Sequence, residues 1–341
     1  MSVDKIAVLG AGSWGTTYAA VIADAGFPVT LWARRPEVAE EINSSHTNER
    51  YLGDRVLPEL LSATDDDIAA VTDADVIVLA VPAQTLRENL SRWKPHLRDG
   101  VRLVSLMKGI EVDTGKRMSE VIAEVAEVAD SQIAVVSGPN LAREIADRQP
   151  TATVVASADI TTAEVVAEIS ANAYFRPYTN TDVVGVELGG AVKNIIALSV
   201  GIADGQKLGD NSKASIITRG LAETSRLAAA MGAEAHTLSG LAGLGDLVAT
   251  CASPLSRNRT FGRHLGEGMS LEETIAHTSQ TAEGVKSAPA VLALGKRYGV
   301  DLPITEAVCA VLAGRLQVDE LAGLLLSRKR KHEGPPPKEQ P

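Results

Sequence analysis

Cysteine is scarce in this 341-residue sequence, in which only Cys251 and Cys309 occur. They lie far apart and neither belongs to a C-x-x-C motif, which argues against structural disulfides and against a zinc site. The 6 histidines also lack the spacing of metal ligands. We therefore expect no bound metal and a reducing compartment, the cytoplasm.

Positive charge is in deficit as well, since 33 Lys and Arg residues stand against 43 Asp and Glu residues and the net charge is -10. Such a protein has no overall attraction to nucleic acid or to an anionic membrane. We expect no nucleic-acid partner, and an anionic ligand would need a local basic pocket.

Long apolar runs are also missing. The N-terminus lacks the basic segment of a targeting signal and enters a strand-like stretch at Lys5. The most apolar later stretch, residues 191–203, contains Lys193 and is shorter than the roughly 18 residues that span a bilayer. It predicts a buried helix and no membrane insertion. Neither a Gly-x-Ser-x-Gly elbow nor a Walker lysine motif occurs.

What is present is enough apolar material for about two domains, since 45% of the residues are hydrophobic and 22% charged. Short runs that are apolar throughout alternate with helical patterns and predict a doubly wound, mostly parallel α/β sheet covered on both faces. These predicted strands are 6–9, 29–32, 76–81, 101–106, 133–136 and 153–156. Helical patterns then follow at 188–203, 212–231, 285–296 and 305–313.

This change of pattern predicts three segments. Residues 1–186 form a dinucleotide-binding domain of the Rossmann type, and residues 187–326 form an all-helical domain. The tail 327–341 is basic and proline-containing without an apolar period, so we expect it to be disordered.

A G-x-G-x-x-G motif follows the first predicted strand and precedes a helix, which is the context that gives the motif meaning. Gly10 permits the tight turn, Gly12 lets backbone amides approach a pyrophosphate, and Gly15 allows close packing of helix on strand. The alternative is a glycine-rich turn without a ligand.

The second strand is followed by Arg34 and Arg35, where an NAD site would carry an acidic residue for the ribose hydroxyls. Two guanidinium groups suit a 2′-phosphate, so NADPH/NADP is favoured and NADH/NAD stays possible. The alternative is a solvated pair of loop charges. Tyr51 could border the adenine or pack on the domain surface.

Several reactive side chains follow predicted strands, where ligands of doubly wound sheets bind. Lys108 follows 101–106, and the segment from Ser137 to Asn140 follows 133–136. Lys193 and Asn194 are placed in the opening turns of the apolar helix and should face the same cleft. Burial and a second cation such as Lys108 would lower the pKa of Lys193 and let it exchange a proton near neutrality, as a carbonyl reductase requires. Exposure on the helix rim is the alternative.

A second polar segment contains Asp246 and is followed by Ser256-Arg257-Asn258-Arg259. The two arginines predict a local anion site in an acidic protein. The alternative for either arginine is helix capping and packing.

Together, the glycine motif, Ser137-Gly138-Pro139, Glu187-Leu-Gly-Gly-Ala-Val-Lys-Asn194, Gly243-Leu-Gly-Asp246 and Ser256-Arg-Asn-Arg259 closely resemble the bacterial NAD(P)-dependent glycerol-3-phosphate dehydrogenases. The resemblance runs from residue 4 to about 326. It implies reduction of dihydroxyacetone phosphate to sn-glycerol 3-phosphate for phospholipid synthesis, and a helical domain like those of the 6-phosphogluconate dehydrogenase-like group.

The resemblance also implies roles for individual residues. Lys193 would supply the proton, Lys108 and Asn194 would orient the substrate, and Arg257 and Asn258 would hold its phosphate. Further substrate contacts are implied for Gly138, Asp246 and Ser256, and cofactor contacts for Ser13, Trp14, Arg34, Lys108, Ala142, Arg257 and Glu283.

One departure is Asn140-Leu141, where relatives often carry Ser-Phe, so a side-chain contact from position 140 is not implied. A homodimer is the default assembly. Two other functions compete with the dehydrogenase, namely a reductase of the same fold for another small anion and a non-catalytic NADPH sensor.

Overall fold

The structure, a computed structural model, describes residues 3–278 and 282–321. The predicted tail and residues 322–326 of the predicted helical domain lie outside the described residues. An eight-stranded sheet runs through the N-terminal half in the order β3-β2-β1-β4-β5-β6-β7-β8. Its strands are β1 Ile6–Leu9, β2 Val29–Trp32, β3 Leu61–Thr64, β4 Val76–Leu79, β5 Arg102–Ser105, β6 Ile133–Ser137, β7 Thr151–Ser157 and β8 Phe175–Asn180.

Eight helices connect or follow these strands. They are α1 Ser13–Asp24, α2 Pro36–Ser45, α3 Glu49–Leu52, α4 Asp67–Val71, α5 Leu86–Trp93, α6 Met118–Ala126, α7 Ala142–Ala146 and α8 Ile160–Glu168. Seven more form the C-terminal half, namely α9 Val183–Gly205, α10 Asp210–Ala230, α11 Asp246–Ala252, α12 Arg257–Gly266, α13 Leu271–His277, α14 Glu283–Arg297 and α15 Pro303–Leu312.

The expectation of a mostly parallel sheet covered on both faces is confirmed. Every neighbouring pair of strands is parallel except β6 and β7. In β1, Ile6 and Val8 belong to one buried core and Ala7 and Leu9 to the other, because successive side chains of a strand point to opposite faces. The chain reverses its direction of winding between β1 and β4, which is where doubly wound sheets bind their ligands.

Two strands, β3 and β8, were not predicted from the sequence. Both are edge strands, and in each of them the first residue, Leu61 or Phe175, is buried and all the others are partly buried or exposed. β8 also contains Pro177, a residue that sheets tolerate at an edge. The apolar-throughout pattern that identified the central strands is absent from strands that bury only part of their side chains.

The helix that carries Lys193 and Asn194 is longer than predicted. It begins at Val183, where the Asp182 side chain accepts a hydrogen bond of 2.8 Å from the Gly185 amide. Lys193 therefore lies near the middle of α9, and its placement in the opening turns was wrong. The helix continues through Gly189. A Cβ at this position would lie 2.4 Å from the Ala242 carbonyl oxygen, so the glycine is required for close packing and does not end the helix.

Helix α9 is the centre of the C-terminal half. Its buried residues form one apolar core with residues of α10, α11, α12, α14 and α15. Helix α12 crosses it so closely that a Cβ on Gly262 would lie 2.0 Å from the Leu198 carbonyl oxygen, and one on Gly201 would lie 2.0 Å from the Arg259 carbonyl oxygen. Glycines on both helices therefore set the distance between α9 and α12.

Among the described residues, α9 is the one helix long and apolar enough to cross a membrane, but 89% of its most apolar window is buried inside the protein. The prediction of a buried helix is confirmed. Cys251 and Cys309 are both free and buried, as packing residues would be.

Candidate active site

The turn between β1 and α1 has the backbone geometry expected of its glycines. Gly10 has a φ of +126°, and a Cβ on it would lie 2.6 Å from the Ala80 carbonyl oxygen. A Cβ on Gly15 would lie 2.0 Å from the Gly10 carbonyl oxygen. These two positions exclude any side chain, because both face backbone atoms.

The third glycine of the turn faces open space instead. A Cβ on Gly12 would meet nothing within 4 Å in the described part of the chain. Gly12 precedes the first turn of α1, whose leading amides have no acceptor within the helix and attract anions. In the same turn, Trp14 Nε1 is buried without a hydrogen-bond partner among the described residues. An open cradle and an unused donor fit a dinucleotide here.

The turn is held in place by Asn48, a residue that is distant in the sequence and that the sequence did not indicate. Its buried side-chain amide donates to the Ala11 carbonyl oxygen at 3.2 Å and to Thr16 Oγ1 at 2.9 Å. Nothing in the sequence connects Asn48 with a turn so far along the chain.

The end of β2 carries the two predicted arginines. Arg34 is exposed, and Arg35 precedes α2 with its Nε 3.7 Å from a Glu37 carboxylate oxygen. A contact this long at the surface is weak, so the region keeps a positive character. Tyr51 is partly buried and packs against the core on that face of the sheet.

Two lysines and one aspartate form a buried cluster where the two halves meet. Lys193 Nζ lies 2.5 Å from Asp246 Oδ1, and Lys108 Nζ lies 2.7 Å from Asp246 Oδ2. Thr250 Oγ1 accepts a second hydrogen bond from Lys193 at 2.7 Å. The structure brings together three candidate site residues from separate parts of the chain, Lys193, Lys108 and Asp246. Thr250 was not singled out.

Burial lowers the pKa of the Lys193 ammonium to about 8. Asp246 opposes this lowering and the charge of Lys108 adds to it. Near neutrality Lys193 is therefore mostly protonated but can lose its proton readily, as proton transfer to a carbonyl oxygen requires.

The carboxyl end of β6 positions the second lysine. Lys108 Nζ donates to the Gly138 carbonyl oxygen at 2.9 Å. Gly190 of α9 packs on this strand end, where a Cβ would lie 2.6 Å from Ser137 Oγ and 3.4 Å from Lys108 Cγ. Asn140 points its amide nitrogen at Thr153 Oγ1, 3.1 Å away.

Three helices bring Asn194, Asn258 and Glu283 to the same cluster. Asn194 Nδ2 lies 3.3 Å from the Lys108 carbonyl oxygen and 3.5 Å from a Glu283 carboxylate oxygen. Asn258 Nδ2 donates to Asn194 Oδ1 at 2.9 Å. Glu283 is the first residue of α14, next to the segment 279–281 that is not described.

The predicted anion segment begins α12. Ser256 caps the helix by accepting from the Arg259 amide at 3.2 Å, and Arg257 is exposed at the first helical position. Arg259 Nη2 binds Asp204 at 2.8 Å, so packing is the reading that fits this arginine. The remaining cofactor-side residues, Ser13 and Ala142, begin α1 and α7, and Thr17 Oγ1 joins these helices by donating to the Ala142 carbonyl oxygen at 3.3 Å.

A buried ion pair fixes α9 against the sheet half. Arg117 Nη1 lies 2.6 Å from Glu187 Oε2, and the Ser119 amide and hydroxyl both donate to the same carboxylate. Burial raises the pKa of Glu187, opposed by these partners. Glu187 begins the segment from Glu187 to Asn194 on which the resemblance rests. Its partners lie at the start of α6, and no sequence signal connects them with Glu187.

Fold and cluster together define a nicotinamide-dependent oxidoreductase. Family models described as the NAD-dependent glycerol-3-phosphate dehydrogenase N-terminus and C-terminus match residues 5–163 and 182–323. The chain therefore belongs to the NAD-dependent glycerol-3-phosphate dehydrogenase family.

Individual relatives are similar over nearly their whole length. A Streptomyces griseus protein named glycerol-3-phosphate dehydrogenase (NAD(P)+) is 63% identical over 90% of this chain and 92% of its own. A Thermobifida fusca protein of the same name is 60% identical over 96% of this chain and 98% of its own. The crystal structure of glycerol-3-phosphate dehydrogenase from Coxiella burnetii is 39% identical, with a TM-score of 0.91 over 96% of this chain and 99% of its own.

Proposed function

We propose that this protein reduces dihydroxyacetone phosphate to sn-glycerol 3-phosphate with NAD(P)H, reversibly, and that Lys193 is its general acid and base. The observation that carries the assignment of the acid is the buried Lys193 ammonium, held by Asp246 and Thr250 with a pKa of about 8. Family membership supports the substrate and the reaction.

A reduced nicotinamide bound beside the cluster would supply the hydride for the ketone carbon. Lys193 donates a proton to the carbonyl oxygen as negative charge develops there, and Asp246 and Thr250 hold the ammonium in place for this transfer. Lys108, fixed between Asp246 and the Gly138 carbonyl oxygen, adds a second positive charge near that oxygen. Asn194 orients the substrate with its amide nitrogen.

The substrate phosphate binds at the start of α12. Arg257 and the leading amides of this ten-residue helix supply charge and donors for a dianion. Asn258 keeps one amide hydrogen beyond the one it gives Asn194, and that hydrogen is available to the phosphate. Ser256 shapes the site as the helix cap.

The dinucleotide binds along the carboxyl edge of the sheet. Gly12, Ser13 and Trp14 would line the pyrophosphate, on a turn whose shape depends on Gly10 and Gly15. Arg34, Arg35 and Tyr51 would border the adenosine end. Lys108, Ala142, Arg257 and Glu283 follow along the cofactor toward the nicotinamide. The arginines support NADPH over NADH. We also infer two domains divided near residue 186, a position that lies within α9. A cytoplasmic location and a homodimer complete the proposal.

One assay tests the function directly. Oxidation of NADPH, and then of NADH, is followed at the reduced-nicotinamide absorbance band while dihydroxyacetone phosphate is added to the purified protein. We expect rapid oxidation with this substrate and slow oxidation with unphosphorylated dihydroxyacetone. A folded, NADPH-binding protein that oxidises neither cofactor would instead be a reductase for another anion or a sensor.

The role of Lys193 has its own test. Lys193→Ala should lower turnover by a factor on the order of 10² to 10⁴ and leave NADPH binding nearly intact, as expected for a proton-transfer group. Lys116→Ala is the control, because that lysine is partly exposed and its ion-pair partner is the exposed Glu124. Unchanged turnover in Lys193→Ala would remove Lys193 from the reaction.

A further inference from the structure

Asparagine side chains and a backbone amide form a hydrogen-bond chain across three helices. The Gly284 amide at the start of α14 donates to Asn258 Oδ1 at 2.9 Å. Asn258 Nδ2, on α12, then donates to Asn194 Oδ1, on α9, also at 2.9 Å. Both asparagines are buried, with 8% and 4% of their surface exposed, so these bonds are largely shielded from solvent.

The direction of this chain is fixed at its first bond. A backbone amide can only donate, so the atom of Asn258 that faces Gly284 must be its oxygen. The nitrogen of Asn258 is thereby turned toward Asn194, which must present its own oxygen. The two amide orientations follow from the bonding pattern itself, independently of how oxygen and nitrogen were assigned.

This direction decides what Asn194 shows to the reaction centre. Its nitrogen is left facing three acceptors, the Lys108 carbonyl oxygen at 3.3 Å and the Gly190 carbonyl oxygen and Glu283 carboxylate at 3.5 Å each. The opposite orientation would place the Asn194 oxygen against these acceptors, which is unfavourable in a buried site.

We propose that Asn258 is a positioning residue that fixes the Asn194 amide with its nitrogen toward Lys108, in addition to any contact with the phosphate. This role rests on the proposed function, since it concerns the orientation of the substrate by Asn194. It also connects α14 to the reaction centre. A Cβ on Gly284 would lie 2.7 Å from the Asn194 backbone oxygen, so the start of α14, with Glu283, is seated directly on α9.

The two roles of Asn258 separate when the substrate lacks a phosphate. A residue that only binds phosphate contributes nothing to the reduction of unphosphorylated dihydroxyacetone, whereas a positioning residue contributes to both substrates. The nearly isosteric Asn258→Asp keeps the acceptor for Gly284 but has no donor for Asn194, so it releases or reverses the Asn194 amide. Asn258→Ala removes both bonds without adding charge.

The experiment measures kcat/KM for dihydroxyacetone phosphate and for dihydroxyacetone at saturating NADPH. We expect Asn258→Asp and Asn258→Ala to lower kcat/KM for dihydroxyacetone on the order of 10- to 100-fold. Arg257→Ala, the phosphate-side comparison, should lose far more on the phosphorylated substrate than on dihydroxyacetone. Asn43→Asp is the matched control, because the Asn43 amide is also bonded at both ends but lies on α2, away from the cluster.

A double variant provides the decisive comparison. If Asn258 acts through Asn194, the double variant Asn194→Ala/Asn258→Ala should be no worse on dihydroxyacetone than Asn194→Ala alone, within about twofold. The positioning role would be overturned if the losses of the two single variants multiply in the double variant, or if Asn258 variants keep wild-type activity on dihydroxyacetone. Either result leaves the proposed function intact as long as the wild-type enzyme reduces dihydroxyacetone phosphate. A wild-type protein that does not reduce dihydroxyacetone phosphate would refute the proposed function and the positioning role together.

Discussion

The buried lysine predicts how the reaction responds to pH. Burial lowers the pKa of Lys193 to about 8, and reduction requires its protonated form. Raising the pH from 7 to 9 decreases the protonated fraction from about nine tenths to about one tenth. We therefore expect kcat/KM for dihydroxyacetone phosphate to fall about tenfold over this range, because kcat/KM reports the enzyme before this substrate binds, and kcat/KM for the reverse oxidation to rise as Lys193 loses its proton.

A variant assigns the titration to this group. Asp246 opposes the lowering of the Lys193 pKa, so Asp246→Asn should lower that pKa further and move the falling limb of the profile to lower pH. The assay is kcat/KM for dihydroxyacetone phosphate against pH from 7 to 10 at saturating NADPH, so that the profile reports the enzyme before dihydroxyacetone phosphate binds. Cofactor binding and the folded state are checked at each pH.

Two results would refute this reasoning. One is a kcat/KM for reduction that stays constant between pH 7 and 10, since Lys193 would then not supply the proton. The other is an Asp246→Asn profile that moves to higher pH, because removal of the neighbouring negative charge can only disfavour the ammonium.

Three further predictions concern packing, cofactor choice and the ion pair under α9. Gly262→Ala should lower the free energy of unfolding in urea by about 3 kcal/mol or more, because its Cβ would lie 2.0 Å from a backbone oxygen of α9. Gly209→Ala is the control, because its Cβ would meet nothing within 4 Å in the described structure, and it should cost under about 1 kcal/mol. Equal losses in the two variants would contradict the packing argument. Arg34→Asp should lower the ratio of kcat/KM with NADPH to kcat/KM with NADH. An unchanged ratio would mean that another group binds the 2′-phosphate. Arg117→Ala leaves the buried Glu187 carboxylate without its cation and should destabilise the protein by about 3–5 kcal/mol; a melting temperature equal to that of the wild type would show that the pair is not needed.

The central strands could be predicted because burial on both faces makes a strand apolar throughout. β3 and β8 escaped this rule as edge strands. The start of α9 was placed at residue 188, whereas the helix begins at Val183. Gly189 and Gly190, just after the predicted start, have no local explanation, but in the fold they let α9 approach the Ala242 carbonyl oxygen and Ser137. Local patterns report how much of a segment is buried, and they do not report which neighbour requires a small residue.

The sequence by itself determined the dinucleotide-binding architecture and the candidate residues, because strand periodicity, the glycine turn and the lysine-asparagine motif are properties of contiguous residues. Only the tertiary structure decided how those residues act on one another. Lys193, Lys108 and Asp246 come from separate parts of the chain, and the pKa of Lys193 depends on their distances and burial. The direction of the Gly284, Asn258 and Asn194 chain likewise exists only once three helices meet, since a hydrogen bond between distant residues has no local signal.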